Sequence, residues 1–144
     1  MKFYIIIGLL FIISCKTTQK SNVTYFTNTI KVNAVIPKGF KKEIIEVGHN
    51  IEYHFLYPDS SLIYITDEKG TPTVNYKNID SDSIAIQKSF LASMENDTLT
   101  LQGKDKHGRY WKNKKLKEVS VGYFNVPENK KTDFEQAISS IKIK

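Results

Sequence analysis

Apolar and polar positions alternate along most of the chain from residue 29 onwards, which is the pattern of half-buried β-strands. The first alternating segment runs from Thr29 to Ile36 and stops at Pro37. Further segments of the same kind lie at 43–47, 51–57, 62–66, 97–102, 109–112 and 118–126. Short polar turns at 48–50, 58–60 and 106–108 separate several of them. The pattern therefore predicts one antiparallel sheet, a meander of about six to seven strands.

A short helix is predicted near the C-terminus. Thr132 and Glu135 stand three residues apart, which is the spacing of a capping box. Phe134, Ile138 and Ile141 follow at i, i+4 and i+7, so they form one apolar stripe that can lie on a sheet. The predicted fold class is α+β, with a single antiparallel sheet and a C-terminal helix packed on one face.

Residues 82–95 allow two interpretations. Ile86, Phe90 and Met94 fall at helical spacing, and Ser83 is suited to cap a helix that contains them. A strand over Ile84–Gln87 explains the same residues almost as well. The sequence favours a short helix by a small margin, and the strand stays the alternative.

The N-terminus has a different pattern. Lys2 supplies one positive charge, and an uninterrupted apolar stretch of eleven residues then runs from Phe3 to Ile13. A membrane-spanning helix needs about 20 apolar residues, whereas the core of a signal peptide needs about 7–15. Ser14 and Cys15 follow directly, so a small residue precedes a cysteine. Residues 1–16 resemble the signal and lipobox of bacterial lipoproteins.

The resemblance to lipoproteins implies a location for the protein. Residues 1–14 would be a signal peptide cleaved between Ser14 and Cys15, and Cys15 would carry acyl chains such as palmitate that anchor it in a bilayer. Lipoproteins retained in the inner membrane often have an acidic residue after the cysteine, and here Lys16 follows. The expectation is an outer-membrane lipoprotein that faces the periplasm. Residues 15–28 are predicted to be a lipidated flexible tether, with a span of about 20 Å, and 29–144 a single globular domain.

A second resemblance covers most of residues 29–144. The opening strand ends in 36–40, Ile-Pro-Lys-Gly-Phe, a meander follows, and the final helix contains Phe134 and 138–141, Ile-Ser-Ser-Ile. This order is similar to that of PsbP- and Mog1-like proteins, which include small lipoproteins of uncertain role. The resemblance implies no catalytic residue.

Composition excludes several classes of function. Cys15 is the single cysteine, so neither an internal disulfide nor a multi-thiolate zinc site is possible. The sequence has no nucleotide-binding glycine motif, no HExxH and no GxSxG, and we expect no cofactor, no bound metal and no catalytic residues. His49 is expected in a turn and His54 on a strand surface. The net charge of +6 favours anionic partners.

The densest charge lies in the segment 104–117, which we call the basic hairpin. Its candidate residues for binding an anionic partner are Lys104, Lys106, Arg109, Trp111, Lys112, Lys114, Lys115 and Lys117. Lysines interleaved with aromatic residues can hold phosphate groups. Export makes nucleic acid an unsuitable target, so an anionic envelope component or a protein is expected. In the alternative interpretation the lysines only protect a sheet edge and Trp111 packs in the core.

These observations favour a non-catalytic accessory or binding module anchored by lipid in the cell envelope. The runner-up is an immunity- or inhibitor-type periplasmic lipoprotein, and a small envelope enzyme is third. The sequence leaves the oligomeric state open.

Overall fold

A computed structural model describes residues 18–27, 30–67 and 98–144. Within these residues the strands are β1 Lys20–Phe26, β2 Lys31–Pro37, β3 Lys41–Val47, β4 Asn50–Leu56, β5 Leu62–Thr66, β6 Thr98–Lys104, β7 Tyr110–Leu116, β8 Val119–Val126 and β9 Lys142–Ile143. A 3₁₀ turn, Glu128–Lys130, leads into the helix α1, Lys131–Ser139. The predicted helix or strand at 82–95 lies outside the described residues.

The strands form two antiparallel sheets. The small sheet has the order β1-β2-β9 and the large sheet the order β3-β4-β5-β8-β7-β6. The α+β class is confirmed, but the prediction of a single sheet is wrong. The chain leaves the small sheet at Pro37 and turns at Gly39, whose φ of +91° suits glycine, before β3 begins in the other sheet. The alternation of apolar and polar residues indicates that a segment is a strand, but it does not indicate which strands pair.

The small sheet begins earlier than the sequence predicted. β1 pairs with β2 along its full length, from Lys20 opposite Pro37 to Phe26 opposite Lys31. Tyr25 is completely buried, and its hydroxyl donates to the carbonyl of Ile51 at 2.7 Å. These seven residues are therefore a paired strand, where the sequence predicted part of a flexible tether.

One apolar core lies between the two sheets and the helix. The small sheet and α1 both pack on the same face of the large sheet, which we call the inner face. The buried residues of this core come from both sheets and the helix: Tyr25, Val32, Ala34, Ile36, Phe55, Tyr57, Ile63, Ile65, Val119, Val121, Tyr123, Val126, Phe134, Ala137 and Ile138. The predicted stripe on the helix is confirmed for Phe134 and Ile138, while Ile141 is half-buried just beyond the helix end.

The predicted capping box is wrong. Because the 3₁₀ turn precedes α1, the helix begins at Lys131, and Lys130 at its N-cap makes no side-chain capping bond. Thr132 therefore lies inside the first turn. Glu135 faces β7 and β8 instead, where it accepts hydrogen bonds from Lys112 Nζ and from Tyr123 Oη, each at 2.6 Å. The carboxylate thus joins the helix to the large sheet.

Candidate functional site: a lysine cluster and a buried polar cluster

β7 divides the basic hairpin between the two faces of the large sheet. Because side chains alternate along a strand, Tyr110, Lys112 and Lys114 lie on the inner face beside α1. Trp111 and Lys115 lie on the opposite, outer face, where they are 8% and 3% exposed. These two candidates are buried, so they are not available to a surface partner. For Trp111 the structure therefore supports the alternative interpretation, in which its side chain packs away from solvent.

Three further candidates are separated from one another. Arg109 is held by the domain, since its Nε donates to Asn125 Oδ1 and its Nη2 to the carbonyl of Asp59, both at 3.0 Å. Lys106 lies in the turn before β7 and Lys117 in the turn after it. A seven-residue strand separates those two turns by about 20 Å. The predicted site therefore does not form one surface.

A smaller group of residues does converge, and we call it the lysine cluster. It consists of Lys104, Tyr110, Lys112, Glu128, Lys131 and Glu135. The Nζ atoms of Lys104 and Lys131 lie 4.4 and 4.3 Å from the centroid of the Tyr110 ring. At these distances each ammonium group is attracted to the electron-rich face of the ring. β6, β7 and α1 each contribute one residue to this contact.

Hydrogen bonds hold the cluster in place. The Tyr110 hydroxyl donates to Glu128, and Lys104 Nζ lies 3.4 Å from the same carboxylate. The bond from Tyr110 is the main cause that lowers the pKa of Glu128, and interaction with Tyr110 raises the pKa of Lys104. Both groups are exposed, so solvent screens these effects.

The cluster carries a net positive charge. Burial by itself would raise the pKa of Glu135, but the hydrogen bonds from Lys112 and Tyr123 outweigh it, so the pKa is lowered and Glu135 is charged at neutral pH. Lys114, which is half-buried, lies two residues beyond Lys112 on the same face of β7. The three lysines of the cluster and the neighbouring Lys114 thus provide four ammonium groups against two carboxylates. An anionic surface with several phosphates or carboxylates fits this balance better than a single small anion does.

Of the six members of the cluster, the sequence predicted Lys104 and Lys112 as binding residues and missed four, Tyr110, Glu128, Lys131 and Glu135. Lys131 and Glu135 lie on the helix, more than a dozen residues after the basic hairpin in the sequence. Their spacing of four residues places them on one flank of α1, which was the available signal. What the spacing could not show is that this flank packs beside β7.

The outer face of the large sheet carries a second group of polar residues, the buried polar cluster. Its members are each 7% exposed or less: Glu52, His54, Tyr64, Thr66, Asn113, Lys115 and Ser120. One row across β4, β5, β8 and β7 consists of Glu52, Thr66, Ser120 and Lys115. The neighbouring row consists of His54, Tyr64, Gly122 and Asn113. The strand register thus brings these side chains together.

Contacts within the buried polar cluster are specific. The carboxylate of Glu52 is hydrogen-bonded to the imidazole of His54, and the Tyr64 hydroxyl donates to Asn113 Oδ1. A side chain at Gly122 would meet the Tyr64 hydroxyl, so glycine leaves room for that bond. Asn113 Nδ2 and Ser120 Oγ are buried, and neither atom has a hydrogen-bond partner among the described residues. Asn113 lies on β7 and Ser120 on the adjacent strand, β8.

The chemistry of these groups gives no sign of a metal or nucleophilic site. Among the described residues no group of three or more His, Cys, Asp or Glu side chains could hold a metal ion. The expected surface position of His54 is wrong, because this residue is buried beside Glu52, whereas His49 is exposed in its predicted turn. No hydroxyl among residues 18–27, 30–67 and 98–144 is hydrogen-bonded to the His54 ring, so the pair has no adjacent nucleophile there.

An open cavity of about 300 Å³ lies on the small sheet, away from both clusters, and polar and apolar residues line it. Its lining includes Asn22, Thr24, Asn33, Ser140 and Lys142. The Thr24 hydroxyl donates to Asn33 Oδ1 at 3.0 Å, and Ser140 Oγ accepts from the Val35 amide at 2.8 Å. These bonds fix the segments that frame the cavity.

No family model, no curated protein and no solved structure matches this chain. The helix of the described part is too short and too polar to cross a membrane. The resemblances to lipoproteins and to PsbP- and Mog1-like proteins therefore stay predictions.

Proposed function

We propose that the protein is a lipid-anchored, non-catalytic binding protein of the bacterial envelope, whose folded domain contacts an anionic partner through the lysine cluster. The apolar stretch, Ser14 and Cys15 support the anchor. The single observation that supports the binding surface is the approach of Lys104 and Lys131 to the same aromatic ring, that of Tyr110. A surface that gathers cations from three elements attracts anions more strongly than the same cations dispersed would.

The anchor is tested by Cys15→Ala in the full-length protein. Without the cysteine no thioether-linked lipid can form, so we expect the variant to leave the membrane fraction. Mass spectrometry of the purified wild-type protein should find a chain that begins at Cys15 and carries acyl chains. A wild-type chain that begins at Met1 without added lipid mass would contradict the proposal.

The binding surface is tested by the triple variant Lys104→Gln, Lys114→Gln, Lys131→Gln. We expect it to elute from an immobilised sulfated polyanion at a clearly lower salt concentration than the wild type. The matched control changes three exposed lysines outside the cluster to Gln, namely Lys31, Lys38 and Lys142. Both variants lose the same net charge, so equal elution of the two would show that the cluster has no special role. The runner-up function, an immunity-type protein, stays a prediction.

A further inference from the structure

The first described residues of the chain are fixed on one flank of α1. Thr18 Oγ1 donates to Asp133 Oδ2 at 2.6 Å, and Lys20 Nζ donates to Gln136 Oε1 at 2.8 Å. β1 begins at the same point and is paired from Lys20 onwards. The folded domain therefore reaches back to within three residues of Cys15.

Covalent geometry limits the distance between the anchor and the domain. Three residues of extended chain span at most about 11 Å. If Cys15 is acylated, as proposed above, the Cα of Thr18 cannot be farther than that from the Cα of Cys15 at the bilayer surface, and this flank of α1 lies one side-chain contact beyond Thr18. A flexible tether up to residue 28 would have allowed the domain to rotate freely, but a tether that ends at Thr18 leaves few orientations.

The other flank of α1 belongs to the lysine cluster. Lys131 contacts Tyr110, and Glu135 pairs with Lys112 at 2.6 Å. The two flanks are separated by the width of one helix, about 10 Å. Between them the helix exposes Thr132 and Ser139, which are polar. This side of the molecule can thus lie on a charged surface but has no exposed apolar residue on the helix to insert into one.

We propose that α1 and the lysine cluster dock on the anionic phospholipid headgroups of the leaflet that holds the acyl chains of Cys15. This inference rests on the proposed function and names its anionic partner. The lysines lie within about two helix widths of the point where the chain enters the domain. Lysines near an anionic bilayer are attracted to it within about a Debye length, 8–10 Å. The short tether keeps the domain near the bilayer, and the positive charge of the lysine cluster determines which side of the domain faces it.

The test uses full-length lipidated protein in two kinds of vesicle, phosphatidylcholine alone and phosphatidylcholine with about 30% phosphatidylglycerol. Lysines are labelled with a water-soluble acetylating reagent, and the rate at each lysine is read by mass spectrometry. We expect labelling of Lys104 and Lys131 to slow at least about threefold in the anionic vesicles and to recover in high salt. Lys31 is the internal control. It lies opposite Phe26, at the far end of β1 and about 20 Å from Lys20, so it is away from the proposed membrane contact and its labelling rate should not change.

The outcomes separate the two proposals. Equal labelling in both vesicles, by protein that floats with the vesicles and carries acyl mass, would overturn the docking and leave the anchor standing. Slower labelling that requires a protein from the envelope, and is not produced by phosphatidylglycerol, would overturn it in favour of a protein partner. Protein that lacks acyl mass and does not float with the vesicles would overturn the proposed function itself.

Discussion

The two faces of the large sheet are both buried in the central strands, but they are buried in different ways. In β5, Tyr64 and Ile65 are neighbours and neither is exposed. Ile65 points to the inner face, where the small sheet and the helix supply apolar contacts. Tyr64 points to the outer face, where its hydroxyl bonds to Asn113 and its ring stacks with Phe124. The inner face is held by apolar burial, and the outer face combines buried apolar side chains with hydrogen bonds between polar ones.

This difference teaches that burial alone does not define a core. Antiparallel sheets commonly expose one face and alternate apolar with polar residues. Here β5 is buried at all five positions, although the polar residue Thr66 occurs among them. A substitution on the inner face should act through lost apolar contact, and one on the outer face through steric fit and hydrogen bonding.

The largest effect is expected from Ile65→Ala, which tests the inner face. Ile65 is completely buried, so truncation removes apolar contact and leaves a cavity, at a cost of about 2–5 kcal/mol of unfolding free energy. Urea unfolding followed by circular dichroism measures it. The matched control is Ile44→Ala, because Ile44 lies in the same cross-strand row but is 53% exposed on the edge strand. Similar losses in the two variants would contradict a core confined to the central strands.

Gly122→Ala tests the outer face and should follow in size. The added Cβ would lie 2.1 Å from the carbonyl oxygen of Lys112 and 2.5 Å from the Tyr64 hydroxyl. Because one of these atoms belongs to the backbone of β7, the strands must shift, and a loss of about 1–3 kcal/mol is expected. In the control, Gly103→Ala, the three atoms nearest to the new Cβ belong to the Trp111 indole at 2.9–3.0 Å, and a side chain can shift at a lower cost than the backbone of a central strand. Equal stability of both variants would show that the close approach at Gly122 is unimportant.

The pH dependence of stability should report the carboxylate that joins the helix to the inner face. The pKa of Glu135 is lowered in the folded state, so its contribution is present above about pH 4.3, the usual value for Glu, and is lost as the pH falls through the folded value. Glu135→Gln should cost about 1 kcal/mol at pH 7 and less at pH 3. Urea unfolding at both pH values measures the difference. A cost that does not shrink at pH 3 would mean that the charge of Glu135 is not what stabilises the fold.

The smallest effect is expected from Ser120→Ala in the buried polar cluster. The hydroxyl of Ser120 is buried and has no hydrogen-bond partner in the part of the chain that the structure describes, so its removal should be neutral or stabilise the protein by up to about 1 kcal/mol. Ser61 is also fully buried, but its hydroxyl donates to Asp59 at 2.5 Å, and Ser61→Ala should lose about 1 kcal/mol. Thermal unfolding of the pair measures the contrast. A clear loss at Ser120 would indicate that its hydroxyl binds a group such as a water molecule in solution.

The candidate site could be predicted only in part from the sequence. The density of lysines identified the region around β7, and Lys104, Lys112 and Lys114 do lie on one face of the sheet. The sequence placed Trp111 and Lys115 on the same surface because both lie within one dense run of charged residues. A strand, however, sends neighbouring side chains to opposite faces, and in β7 the side chains on the outer face are buried whereas those on the inner face are half-buried.

The sequence by itself determined what depends on neighbouring residues. Alternation located the strands from β2 to β8 that are described, glycine marked the turns at Gly48 and Gly108, and the apolar spacing of Phe134 and Ile138 fixed the buried side of α1. The prediction of a lipoprotein signal likewise depends only on adjacent residues, the apolar stretch and the Ser14-Cys15 pair that follows it. Such patterns are local because they follow from the repeat of a strand or a helix.

Only the tertiary structure decided which segments meet. It paired β1 with β2, divided the strands into two sheets, buried His54 and Lys115, and brought Lys131 and Glu135 beside β7. Each of these outcomes depends on contacts between residues far apart in the sequence. The free energy of such contacts comes from the surfaces that pack together, and the periodicity of one segment says nothing about what will cover it.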